Sequence, residues 1–201
     1  MRVTVCRLYD SYVRAAETIV ALEAVGVPLS DISLISNTDA EGERAGNKDA
    51  IAANRGSENR TFEAAGIGAA IGATAGTAAG LLTLFAIPGI GPVVGLGWLL
   101  PLLGGAAIGG VTGGIVGALT NAGMSEEDAH VYAEGIRRGG AVVTARVPAK
   151  DERQVGDVMD RSAVDVRDRR EEYRASGWRA FDPDAAPYHA DQLRDQRSAV
   201  R

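Results

Sequence analysis

Cysteine is almost missing from this 201-residue chain: Cys6 stands alone. A single thiol excludes an internal disulfide and fits a reducing compartment. Within the alternating stretch around it, Cys6 reads as a small core residue. Histidine is nearly as scarce. His130 and His189 have no Cys partners and no H-x-x-x-H spacing, so no metal site is expected. Basic residues are in the minority, 21 against 26 acidic, for a formal net charge of -5. That leaves no basic stripe to neutralise phosphates and argues against a nucleic-acid partner. The opening MRVTVCRLYDSYVRAAET lacks an apolar h-region, so the expectation is a chain without a cleavable signal peptide. G-K-[ST] is absent, which excludes a P-loop. GIGAAIG (66–72) and GIGPVVG (89–95) miss the G-x-G-x-x-G register, have no acidic residue nearby and follow no credible strand, so neither reads as a dinucleotide loop. With no catalytic constellation, no cofactor and no small-molecule substrate in view, the chain is expected to be non-enzymatic.

The largest absence is of charge. None of the 62 residues from Ala64 to Ser125 is charged, and 17 of the 26 glycines lie between Phe62 and Gly123. Within this stretch Gly68, Gly72, Gly76 and Gly80 fall at four-residue spacing, and Gly105, Gly109, Gly113 and Gly117 repeat it. Glycine in a helix costs about 1 kcal/mol relative to alanine, so each aligned set costs on the order of 4 kcal/mol before packing. Such a pattern is useful where a smooth helical groove lets another backbone approach closely, as in small-xxx-small packing. Thr74, Thr77, Thr112 and Thr120 offer hydroxyls for interhelical or back-bonded hydrogen bonds. Helices over 64–86 and 99–122 would be about 34 and 36 Å long, enough for a bilayer core of about 30 Å. IPGIGPVVGLG breaks them at Pro88 and Pro92. Pro101 suits a first helical turn, and Trp98 suits a membrane interface. These residues therefore predict a glycine-zipper helical hairpin over 62–124, with the eight spaced glycines as its packing and oligomerisation residues. The leading expectation inserts it in a lipid bilayer, with the charged remainder facing the cytoplasm. The alternative buries it in a soluble, cytoplasmic self-assembled ring, shell or filament.

The flanks have ordinary globular patterning. RVTVCRLY (2–9) alternates as a strand. SYVRAAETIVALEAVG follows as a helix with Tyr12, Ala15, Ala16, Ile19 and Leu22 on one face and Gly26 as its stop. DISLISN (31–37) is a second strand. After the insertion, SEEDAHVYAEGIRRGG opens on a capping signature at Ser125 and Asp128, buries Ala129, Tyr132, Ala133 and Ile136, and places His130 on the solvent side. Its acidic start and Arg137–Arg138 end suit the helix dipole, the arginines having contact with lipid phosphates as a second reading. AVVTARVP (141–148) is a strand, DERQVGDVMDRS (151–162) a helix, and AVDVRDR (163–169) a short alternating strand. The fold class expected is α+β: a split βαβ, ferredoxin-like sheet domain from 1–37 plus 125–170, interrupted by the helical hairpin. Residues 38–61 read as a flexible polar loop. Residues 171–201 read as a tail pinned by Tyr173, Trp178, Phe181 and Tyr188.

VTVCRLYDSYVRAAETIVALEAVGVPLSDISLISN, the glycine-rich insertion, GMSEEDAHVYAEGIRRGGAVVTARV and the ending RASGWRAFDPDAAPY together resemble the bacterial general stress protein family, which includes heat-induced stress proteins. The resemblance covers most of the chain except roughly 38–61 and 189–201. It implies a ferredoxin-like domain near a glycine zipper and a bacterial stress-response context. It supplies no active-site residues to carry over. The expectation is a non-enzymatic, homo-oligomeric stress-response protein.

Overall fold

The structure, a computed structural model, describes residues 1–37, 61–62, 82–106, 114–186, 188 and 192. Strand β1 (Arg2–Tyr9) leads through helix α1 (Tyr12–Ala24) to β2 (Ile32–Asn37). Ser11 caps α1 by accepting from the Arg14 N–H, and the helix closes on Gly26 at φ +91°, with the Val27 N–H bonded to the Leu22 carbonyl. This is the glycine stop that the sequence calls for. β3 (Thr61–Phe62), β4 (Leu82–Ile87) and β5 (Gly91–Gly97) follow. Then come α2 (Leu100–Ala106), α3 (Ile115–Asn121), α4 (Glu126–Arg137), β6 (Ala141–Pro148), α5 (Glu152–Asp160) and α6 (Val166–Ala175).

All strands join one sheet in the order β1-β6-β2-β5-β4-β3, every neighbouring pair antiparallel. β1 and β2 therefore run parallel to each other with β6 between them, Cys6 and Ser33 both facing Thr144. One face carries Val5, Tyr9, Leu34, Val143 and Ala145 against α1 and α5. The other carries Leu8, Ile35 and Val142 against α2, α3 and α4. The result is a mixed α/β sandwich with helices on both faces of an antiparallel sheet.

Three expectations need correction. The first is the helix over 64–86. Residues 64–81 lie outside the described residues, but 82–87 form a strand. IPGIGPVVGLG is not a break between helices: Pro88–Ile90 make the turn and 91–97 the returning strand. Gly89, Gly91 and Gly97 take φ of +75°, +94° and +93°, conformations open chiefly to glycine. What the hairpin gains is the hydrogen-bonding edge of β2, which β5 pairs along Ser33–Asn37. GIGPVVG thus does follow a strand, yet it runs into another strand rather than a helix, which again rules out a dinucleotide loop.

The second is the helix over 99–122. Its described parts are two short helices, α2 and α3, the latter starting after Gly114 at φ +84°. Pro101 falls in the first turn of α2. Trp98 lies under the Arg146 guanidinium, 4.5 Å from its ring centre. Leu99, Leu103, Ile115 and Leu119 are buried in the same core as Leu8, Ile35 and Val142. Among the described residues no helix is long and apolar enough to cross a membrane.

The third is the strand over 163–169. Only Val164 behaves as one, its N–H bonding the Leu8 carbonyl at 2.8 Å. Asp165 then caps α6, accepting from the N–H groups of Arg167 (2.8 Å) and Asp168 (3.4 Å). Capping contributes about 1 kcal/mol, and α6 adds ion pairs to Asp10, Glu127 and Asp128 and buries Tyr173. These outweigh the alternating pattern.

Candidate functional site

β1 is an edge strand, paired only with β6. Beside it lies a groove of about 900 Å³. Thr4 and Cys6 form its floor, the turn from Ala122 to Ser125 and the start of α4 form one wall, and Ala163 to Arg167 form the other. The sequence builds each wall locally. Ser125 caps α4 through the Asp128 N–H at 3.1 Å, which fixes the turn before it. Asp165 does the same for α6.

Arg7, Arg170, Glu127, Asp128 and Asp160, which line the groove, are paired with one another. Arg7 grips Asp160 and also donates to the Cys6 carbonyl at 2.8 Å. Tyr132 donates its hydroxyl to that same carbonyl at 3.0 Å. Arg170 binds Asp128 and Glu127, and Arg174 reaches Glu127 at 3.0 Å. The acidic start of α4 is therefore the seat for α6 as well as a complement to the helix dipole.

Further along α4, Glu134 is fully buried and is held by Arg138 Nε at 2.7 Å and Arg137 Nη1 at 3.4 Å. Arg138 stacks on Tyr173 at 4.4 Å and Arg137 on Tyr188 at 4.5 Å. Arg137 also donates to the Ala186 carbonyl at 2.8 Å. These two arginines hold the C-terminal segment to the domain. That segment also corrects the solvent-side placement of His130. The imidazole is half-buried, and its Nδ1 accepts from the Phe181 N–H at 3.2 Å. Tyr173 and Trp178 meet edge to face at 5.6 Å.

Cys6 keeps some exposure along the groove, yet loss of water around the sulfur pushes its thiol far above the usual cysteine range, Arg7 only partly offsetting it. Burial likewise pushes Tyr9, Tyr132 and Tyr173 up. The thiolate is the reactive form, so native Cys6 should label with a disulfide reagent at pH 8 at least about tenfold more slowly than in the unfolded chain. The sign of the linked stability follows. The native state holds these protons while the unfolded chain loses them above about pH 8.5 for the thiol and about pH 10 for the tyrosines. Their contribution is complete below those values and is lost as pH rises, so urea midpoints should fall between about pH 8.5 and about pH 11. A flat alkaline profile with rapid labelling would contradict this placement of Cys6.

Of the eight zipper glycines, Gly105 lies in α2 and Gly117 in α3. Gly68, Gly72, Gly76, Gly80, Gly109 and Gly113 lie outside the described residues. Thr120 back-bonds to the Val116 and Gly117 carbonyls, both at 3.0 Å. The glycines that demonstrably permit close approach are others. A Cβ on Gly135 would lie 2.6 Å from a Leu8 methyl, and one on Gly140 2.8 Å from the Tyr9 carbonyl oxygen. In the sequence Gly140 is marked only as a helix stop. Gly135, a glycine inside α4 at the margin of its apolar stripe, is the available signal for tight helix-on-sheet packing.

Among the described residues no group of three or more His, Cys, Asp or Glu side chains is placed to hold a metal ion. Comparison with protein-family models, with curated proteins and with solved structures found no match to this chain.

Proposed function

We propose that this chain is a non-enzymatic, self-associating structural protein, with the segment spaced by Gly68, Gly72, Gly76 and Gly80 as its assembly element. One observation carries the reading. From residue 82 onward the described part of the uncharged stretch is built into the domain, as a hairpin on the β2 edge and as helices in the second core. The apolar character of that part is accounted for by folding. This favours burial in an assembly of copies over insertion of a two-helix hairpin in a bilayer. The placement of β1 and β2 on either side of β6 supports reading the flanks as a ferredoxin-like core whose fourth strand is reduced to the Val164 bridge. The resemblance of the flanking motifs supplies the context, a bacterial stress response.

Fractionation followed by sizing tests the proposal. The expected result is a discrete particle larger than a monomer in the fraction free of membrane. Gly72→Leu should shift it toward smaller species by about tenfold in association constant or more, since the leucine side chain would separate closely packed backbones. Retention in membranes washed with alkaline carbonate would replace assembly with bilayer insertion. A monomer at all concentrations would remove self-association altogether.

A further inference from the structure

From the groove beside β1 we infer a docking site for one extended peptide segment of a partner protein, which adds to the sheet as a short outer strand. The inference is independent of the self-association reading. Neighbouring residues of a strand direct their N–H and C=O groups to opposite sides. The Leu8 carbonyl points away from β6, because it accepts from Val164. The backbone groups of Cys6 and Thr4 therefore point outward too, into the groove they floor.

Their occupancy defines what fits. The Leu8 carbonyl is taken by Val164, and the Cys6 carbonyl by Arg7 and Tyr132. The Cys6 N–H and both backbone groups of Thr4 have no partner among the described residues. Two donors and one acceptor in a line at strand spacing match an extended backbone. A rounded small molecule would not satisfy them all. Val164 already occupies the first position of the missing outer strand, and the groove is the space where that strand would continue. The chain itself turns away there into α6.

The walls select among peptide-like occupants. The edge lies at the bottom of a groove, with 122–125 on one side and 163–167 on the other. One slender segment fits between them. The β1 edge of a second copy would bring its own two walls into the same space. Charge narrows the choice further. Arg7 and Arg170 are neutralised by Asp160, Asp128 and Glu127, and the Asp165 carboxylate is engaged by the N–H groups that open α6, while the Arg167 side chain is exposed and has no ion pair among the described residues. The floor is half-buried and uncharged at Thr4 and Cys6. The partner segment is thus a β-forming run with small or β-branched residues over the floor and an acidic residue at the Arg167 end.

The probe is a synthetic capped hexapeptide, glutamate followed by alternating valine and threonine, titrated into the full-length isotope-labelled protein. Its control is the same sequence N-methylated at alternate backbone amides. The expected result is saturable shifting of the Thr4 and Cys6 amide signals by the first peptide, with binding at least about tenfold weaker for the second, as the loss of one or two backbone bonds predicts. Thr4→Pro should weaken binding about tenfold while preserving the β1–β6 ladder, since proline is tolerated where an edge N–H faces outward. Arg167→Glu should weaken it severalfold, more at low salt than at high. Should Thr4→Pro fail to fold, the N-methylated control on the native protein decides. Equal binding of both peptides, or no shift at Thr4 and Cys6, overturns the proposal. Concentration-dependent shifts of those amides without peptide also overturn it, in favour of edge pairing between copies.

Discussion

Gly97→Ala should come close to abolishing the fold, lowering stability by about 3 kcal/mol or more. Two costs combine at this position. Gly97 ends β5 at φ +93°, where an L side chain is strained. A Cβ there would also lie 2.1 Å from the Ile32 carbonyl oxygen and 2.8 Å from Ser33 Cα, both backbone atoms that cannot swing aside. The neighbouring clasp would fail with it. Ser33 Oγ donates to the Leu96 carbonyl at 2.7 Å and accepts from the Leu99 N–H at 3.0 Å, tying the end of β5 and the approach to α2 onto β2. Gly26→Ala is the control. Gly26 has φ +91°, and a methyl group there would meet nothing within 4 Å, so it isolates the conformational cost. That cost is about 1–2 kcal/mol. Urea denaturation of the two variants measures the difference. Equal losses would mean that the β5–β2 junction relaxes and that its close approach is not required.

Glu134→Ala should destabilise the protein by about 3–5 kcal/mol, because it leaves two cations packed against the protein with no counter-charge. The carboxylate is fully buried, while the Arg137 and Arg138 side chains are only 12% and 19% exposed. Removing it also frees the stacks on Tyr173 and Tyr188. Trypsin should then cut earlier at Arg179, and Trp178 emission should move to the red as its contact with Tyr173 loosens. Glu134→Gln keeps the shape and one acceptor oxygen, so its loss should be smaller. If Glu134→Ala melts with the native protein and Arg179 stays protected, the C-terminal segment is held by its aromatics alone.

Much of the sheet is legible in the sequence for identifiable reasons. β1 alternates, β6 is rich in β-branched residues, α1 and α4 carry both a capping serine and a glycine stop, and α5 has Val155, Val158 and Met159 on one face. The β4–β5 hairpin is not legible as strands. In an uncharged run of Leu, Val and Gly there is no polar face, so helical and strand periods cannot be told apart. The spacing of its glycines says nothing of their positive φ, although that conformation is what the turn and the strand ends need. α6 is hidden because Ala-Val-Asp-Val-Arg-Asp-Arg alternates well, and only the partners of Asp165, Arg169 and Arg170 reveal a helix. Glu134 has a signal in its spacing to Arg137 and Arg138, three and four residues on, but their aromatic partners come from a distant part of the chain. The groove has none. It arises where an edge strand, a turn and a helix start converge, and no local pattern encodes that meeting.

The position of β6 between β1 and β2 has a consequence for synthesis. When the first half of the chain leaves the ribosome, β1 and β2 have no strand to join them, and the glycine-rich stretch follows before β6 exists. Cys6 and Ser33 wait for the same residue, Thr144. Pairing across such sequence separations is slow, because the loops must close before any contact forms to compensate. The nascent chain therefore carries β1 unpaired, and β2 with one edge open even after β5 has joined the other, until β6 emerges. Chaperone demand should be greatest before residue 148 emerges and should drop once the central strand is seated.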